Sequence, residues 1–193
     1  MDESIAKLQA ALDPLQLPIN YLFVSDHGMT TINTEQTLGR PEVLDTAAFR
    51  VPAGDALVQV YAKNQASVPG VLKELRKQTA FQTYLLDETP EHWHYRKADD
   101  YFNRLGDILL VPNHPNIFNF SPRKPYPGKH GFDNHRPDMQ ASFQAWGPAF
   151  KAGLKIAAFE NVNVYPLVGK ILGLTIDETK IDGRLKALAP ILK

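Results

Sequence analysis

The sequence predicts an α/β fold, a three-layer α/β/α sandwich carrying a small α+β lobe. Three observations point there. Tyr21-Leu22-Phe23-Val24 is a short apolar run that opens onto the polar turn Ser25-Asp26-His27-Gly28. This is how a strand buried in a parallel sheet meets a ligand crevice at its carboxyl end. Leu105-Gly106-Asp107-Ile108-Leu109-Leu110-Val111-Pro112 is a second strongly apolar strand. Helical spacing then appears towards both ends, in Ile5, Leu8, Leu12 and Leu15, and again in Leu167, Val168, Ile171 and Leu172.

Composition sets the bounds. A chain of 193 residues is one domain or a large piece of one. Apolar residues make up 44% and charged residues 22%, ordinary for a soluble globular chain. The formal net charge is zero, so no nucleic-acid-binding patch or membrane-surface charge is expected. With no cysteine, disulfides and thiolate metal sites are excluded. The acidic start Met1-Asp2-Glu3-Ser4 is unlike a signal peptide, and no apolar run is long enough for a membrane segment.

The elements follow in order. A helix over residues 4–15 has Asp2 or Ser4 as its cap, and Pro14 and Pro18 mark its end. The strand over residues 20–25 comes next. Residues 30–40 read as loop or edge structure. Residues 49–51 and 56–61 read as a hairpin about Pro52-Ala53-Gly54-Asp55. A helix over residues 67–78 has Ser67 as its cap and Pro69 in its first turn, and residues 81–86 form a strand. His92 and His94 alternate, as strand residues sharing one face would, with Trp93 and Tyr95 packed. His114 falls in a turn, and residues 117–120 read as one more strand. Residues 141–146 alternate like a strand closed by Gly147-Pro148. Asn163 caps the last helix and Gly173 ends it, and the apolar tail over residues 185–192 docks on the sheet.

The chemistry gathers in two stretches. Asp26 offers a carboxylate and His27 an imidazole, both suited to zinc or a similar divalent metal. Gly28 gives the backbone room to turn. About a hundred residues later comes Gly128-Lys129-His130-Gly131-Phe132-Asp133-Asn134, where glycines flank a histidine. Asp133 is a candidate hydrogen-bond partner for a metal-bound imidazole. His135 is not expected to be a ligand.

Together these stretches resemble the type I phosphodiesterase/nucleotide pyrophosphatase family of the alkaline phosphatase superfamily. That family carries a strand ending in S-D-H-G-M, matched by Ser25 to Met29. It carries G-x-H-G-[FY]-D-N, matched by Gly128 to Asn134. The spacing M-x-x-x-F-x-A-x-G-P-x-F-K is matched by Met139, Phe143, Ala145, Gly147, Pro148, Phe150 and Lys151. Arg104, Gly106, Asp107 and Ile108 match a further R-x-G-D-[IL] motif read as structural. The resemblance covers most of the chain.

It implies an alkaline-phosphatase-like fold and a site holding two zinc ions. Asp26 and His27 match the pair on the nucleophile-side zinc, and His130 matches a ligand of the second. In the family the threonine nucleophile, a further aspartate and an Asp-x-x-x-His pair all precede S-D-H-G-M. Residues 1–193 are therefore expected to be the C-terminal part of a phosphodiesterase catalytic domain, with an inserted α+β lobe at about 41–104. No catalytic nucleophile is expected in this chain. The parent is expected to hydrolyse phosphodiester or pyrophosphate bonds of small nucleotide-like substrates, and the chain alone to be inactive. Two other readings stay open: another hydrolase or mutase of the superfamily, and a non-enzymatic binding module. Many family members are exported or face outward, which leaves the compartment of this chain open.

Overall fold

The computed structural model describes residues 1–193. In chain order the elements are α1 (Asp2–Leu12), β1 (Tyr21–Val24), β2 (Thr30–Thr31), β3 (Phe49–Arg50), β4 (Val58–Ala62), α2 (Val68–Leu75), β5 (Phe81–Leu85), β6 (Ile108–Pro112), β7 (Gly128–Lys129), β8 (Phe143–Trp146) and α3 (Val164–Ile171). Short 3₁₀ turns fill much of the remainder. The chain divides into two compact units, one of residues 25–141 and one joining residues 1–24 to 142–193.

The larger unit is built on a four-stranded sheet in the order β3-β4-β6-β5, with every ladder antiparallel. Val58 and Val60 alternate inward along β4 and are fully buried. In β6, by contrast, Ile108, Leu109 and Leu110 are all fully buried. A central strand paired on both sides and covered on both faces reads as an unbroken apolar run. Val71 and Leu75 of α2 close one face, together with Phe81 and Phe118. Each such fully buried side chain contributes about 1.5–3 kcal/mol relative to exposure.

The expected hairpin is present, with Phe49 opposite Ala62 and Arg50 opposite Tyr61. Ser67 stands at the N-cap of α2, yet its side chain makes no capping bond. Asn64 does that work for the preceding turn, accepting from the Ala66 N–H at 3.0 Å. The Arg104-x-Gly106-Asp107 motif is structural. Asp107 accepts from the Ala62 N–H and the Gln65 side chain, both at 2.7 Å. A Cβ on Gly106 would lie 2.8 Å from the Val60 backbone. Two expected strands are absent. Residues 91–93 form a 3₁₀ turn ending in a left-handed His94, which removes the shared face expected for His92 and His94. Residues 117–120 carry only a single bridge, Leu38 to Phe118, and pack Ile117 and Phe118 as core.

The smaller unit pairs β1 with β8, antiparallel, Tyr21 opposite Trp146 and Val24 opposite Phe143. The parallel neighbour expected for β1 is replaced within this chain by a strand returning from the far end of the sequence. Nor is β1 fully buried: Tyr21 to Phe23 are half-buried and Val24 is exposed. Phe150, Leu167, Leu188 and Ile191 form the core of this unit, with Leu22, Phe143 and Ala145 packed against it. The C-terminal tail therefore docks on the β1–β8 pair, as expected. Asn163 begins α3 but turns its side chain to the Arg184 N–H at 2.7 Å rather than to the helix. Leu172, expected on the apolar face of α3, is exposed. α1 starts at Met1 with no side-chain cap, and none of its residues is buried.

Candidate metal centres in the larger unit

Asp26 and His27 follow β1, and β2 begins three residues later. β2 runs antiparallel to β7, with Thr30 opposite Lys129 and Thr31 opposite Gly128. Continued past the end of the ladder, that register sets Met29 opposite His130, with His27 two residues away. The His27 and His130 rings stack, centroids 3.7 Å apart and planes within 16°. Residues separated by a hundred positions thus meet through a ladder of two residue pairs.

Gly28 secures this approach by its lack of a side chain. Its N–H donates to the Met139 carbonyl at 2.9 Å, and a Cβ would fall 2.2 Å from the Asp138 carbonyl oxygen. Its backbone is not left-handed, so close packing rather than turn geometry requires glycine here. Gly131, on the other side of the pair, does need the left-handed region, at φ +88°.

The tautomer of His27 is set by its neighbouring carbonyl. His27 Nδ1 is 2.7 Å from the Gly28 carbonyl oxygen, which can only accept, so Nδ1 carries the ring proton. Nε2 then holds a lone pair, and it faces Asp26 Oδ2 at 3.3 Å. An imidazole lone pair beside a carboxylate oxygen is the kind of donor pair a divalent cation takes. Asp26 is largely exposed, and its Oδ1 accepts the His27 N–H at 3.0 Å. The His130 ring stacks on that of His27, so one carboxylate and two imidazoles, residue types that suit zinc, lie in this stretch.

Charged groups flank this cluster without entering it. Lys129 pairs with Asp55 across the unit. Arg136 makes a two-pronged contact with Asp138, at 2.7 and 3.0 Å. The Arg136 guanidinium, aided by Thr30, holds the Asp138 carboxyl down at about 2. His114 stays at the surface, 3.0 Å from the Thr30 hydroxyl.

A second cluster has a different origin. Asp133 does not turn to His130. It lies 3.1 and 3.2 Å from His92 Nε2, accepts the indole N–H of Trp93 at 3.0 Å, and accepts the His135 N–H at 2.7 Å. Burial works to raise the Asp133 carboxyl, but bonds from His135, Trp93 and His92 outweigh it and hold the group below its ordinary range. His92 and His135 stack with centroids 3.8 Å apart and planes within 7°. Sequence reasoning sets His92 beside His94, sets Asp133 against a metal-bound imidazole and gives His135 no ligand role, because these three meet only through the fold. The Asp133-x-His135 spacing was the one local signal. Beside Asp133 a cavity of about 200 Å³ is lined by Ala56, Leu57, Trp93, Tyr95 and Phe132.

Known proteins place these features in context. Residues 1–133 match the type I phosphodiesterase / nucleotide pyrophosphatase family. A bis(5'-adenosyl)-triphosphatase, ENPP4 of Bos taurus, is 29% identical over 177 residues, 90% of this chain and 38% of the relative. Ectonucleotide pyrophosphatase/phosphodiesterase family member 7 of Homo sapiens is 32% identical over 186 residues, 90% of this chain and 38% of its own length. The solved structure of human ENPP5 superposes with a TM-score of 0.86 at 25% identity, covering 100% of this chain and 50% of that one. Murine ENPP5, solved as an inactive variant in complex with AMP, superposes at 0.85 with 24% identity. The expected alkaline-phosphatase-like α/β fold is therefore the fold of this chain. The chain spans well under half the length of these curated relatives.

Proposed function

Because the chain belongs to the type I phosphodiesterase / nucleotide pyrophosphatase family, we propose that it supplies part of a zinc-dependent site that hydrolyses phosphodiester or pyrophosphate bonds. The observation that carries this reading is the stacking of His27 on His130, with His27 Nε2 and Asp26 Oδ2 facing each other at 3.3 Å. Asp26 and His27 would hold one zinc and His130 would complete the second. Zinc at such a site supplies Lewis-acid charge to the phosphoryl oxygens.

The chain's own residues do the positioning. The Gly28 carbonyl fixes the His27 tautomer, so that Nε2 is the free donor. The β2–β7 ladder sets the distance between the two imidazoles. Arg136 and Thr30 keep Asp138 ionised, which steadies the loop whose backbone packs on Gly28.

Two ligands for one metal and one for the other fall short of the three that a catalytic zinc normally takes. The remaining ligands and a threonine nucleophile would come from a further stretch of polypeptide. On this reading residues 1–193 form the C-terminal part of the catalytic domain, and about 41–104 belong to an inserted lobe. Nucleotides are the proposed substrate class, in keeping with the relatives' names. The aromatic cavity beside Asp133 suits a flat ring.

Hydrolysis of bis(p-nitrophenyl) phosphate with added zinc tests the proposal. The isolated chain is expected to show no turnover above its His130→Ala variant. In a longer polypeptide that also contains the missing ligands, turnover is expected and His130→Ala abolishes it. Turnover by the isolated chain that disappears in His130→Ala would show that it carries its own nucleophile, and the split-site account would be wrong. A longer polypeptide that is inactive yet binds nucleotide would instead identify a binding module.

A further inference from the structure

We propose that His92, Asp133 and His135 form a separate divalent-metal site, of the zinc class, independent of Asp26, His27 and His130. Their donor atoms all lie within 4.8 Å of one another, close enough to converge on one ion through side-chain rotation. One carboxylate and two imidazoles make a borderline donor set that zinc prefers over magnesium or calcium. Three protein ligands leave the fourth position for water.

The surroundings are built to orient this set. Trp93 donates its indole N–H to Asp133 Oδ2, fixing the carboxylate plane. Tyr84 meets the Trp93 ring edge-on at 5.6 Å and Tyr95 at 6.5 Å, so the indole is itself held. Asp133 Oδ1 accepts the His135 N–H, closing a short turn that carries the His135 ring over His92. Such outer hydrogen bonds orient metal ligands and strengthen their basicity.

Charge argues the same way. The ion-pair partner of Asp133 is His92, not a lysine or arginine. His92 and Asp133 are each about a third exposed, and His135 is exposed, which gives an ion a way in. Nothing in this site depends on the hydrolase reading.

Equilibrium dialysis of the metal-free 193-residue chain against zinc is the test. One equivalent is expected to bind to the chain and to its His27→Ala/His130→Ala double variant. That equivalent is expected to be lost in His92→Ala and in His135→Ala. Zinc uptake unchanged by His135→Ala, or no uptake by the unaltered chain, would overturn the proposal. A measurement on the unaltered chain guards against a variant that fails to fold: imidazole NMR signals of His92 and His135 are expected to shift on zinc addition. Shifts confined to His27 and His130 would overturn it equally.

Discussion

The two histidine clusters look alike and are made differently. Each stacks a pair of imidazoles, at 3.7 Å in His27–His130 and 3.8 Å in His92–His135, and each sets a carboxylate against a ring nitrogen. In the first, the carboxylate is adjacent in sequence, largely exposed, and bonded within the cluster only to the His27 backbone and ring. In the second, Asp133 is half-buried and held by an indole, a backbone N–H and a histidine drawn from about forty residues away. The first carboxylate is left open to solvent. The second carboxylate is already oriented by its donors.

The largest effect that would break this contrast is expected at Gly28. Gly28→Ala forces the Asp138 backbone away by more than an ångström of overlap and should cost about 1–3 kcal/mol in urea unfolding. Ring-current shifts between His27 and His130 should diminish, while those between His92 and His135 persist. Loss of both stacks together would mean the clusters are not independently built.

A smaller, opposite effect is expected from Trp93→Phe. The ring contact with Tyr84 survives, but the ionised Asp133 loses a hydrogen bond worth about 1.5 kcal/mol at this partly exposed position. Zinc affinity at the second cluster should fall roughly tenfold, as when an outer-shell partner is removed. Zinc titration should show the first cluster unaffected.

The smallest effect concerns pH. Asp138 is held at about 2 by Arg136 and Thr30, below its ordinary 3.8. A lowered folded-state value stabilises above the ordinary value, and the benefit disappears as pH falls from 3.8 towards 2. Asp138→Asn should therefore flatten the urea midpoint across that acid window and leave the neutral midpoint only slightly lower. An unchanged acid slope would remove Asp138 from the support of the Gly28 loop. The group is exposed enough that the effect stays small.

Several parts of this molecule were legible from local sequence. The hairpin at residues 49–62, the helix after Asn64 and the apolar run of β6 follow from turn residues and period. The pairing of Asp26 and His27 with His130 followed from motifs rather than from physics, since only a ladder between β2 and β7 joins them. Other readings failed where two answers share one pattern. An apolar run such as Tyr21 to Val24 is equally at home in a parallel or an antiparallel sheet, and the chain's own partner for it is the antiparallel β8. His92 and His94 alternate on paper, but Pro90 sets up a 3₁₀ turn and the left-handed His94 ends the alternation.

The sequence alone determined which side chains could carry chemistry, and it identified the carboxylate and imidazoles of the first cluster. Residue type and spacing along the chain are local properties, and they fix helix caps, turns and short motifs. Tertiary structure decided where Asp133 directs its charge: to His92, Trp93 and His135 rather than to His130. That choice depends on contacts across about forty residues, which no local pattern encodes. It rests on burial, where an ionised carboxylate must find donors wherever the packing brings them.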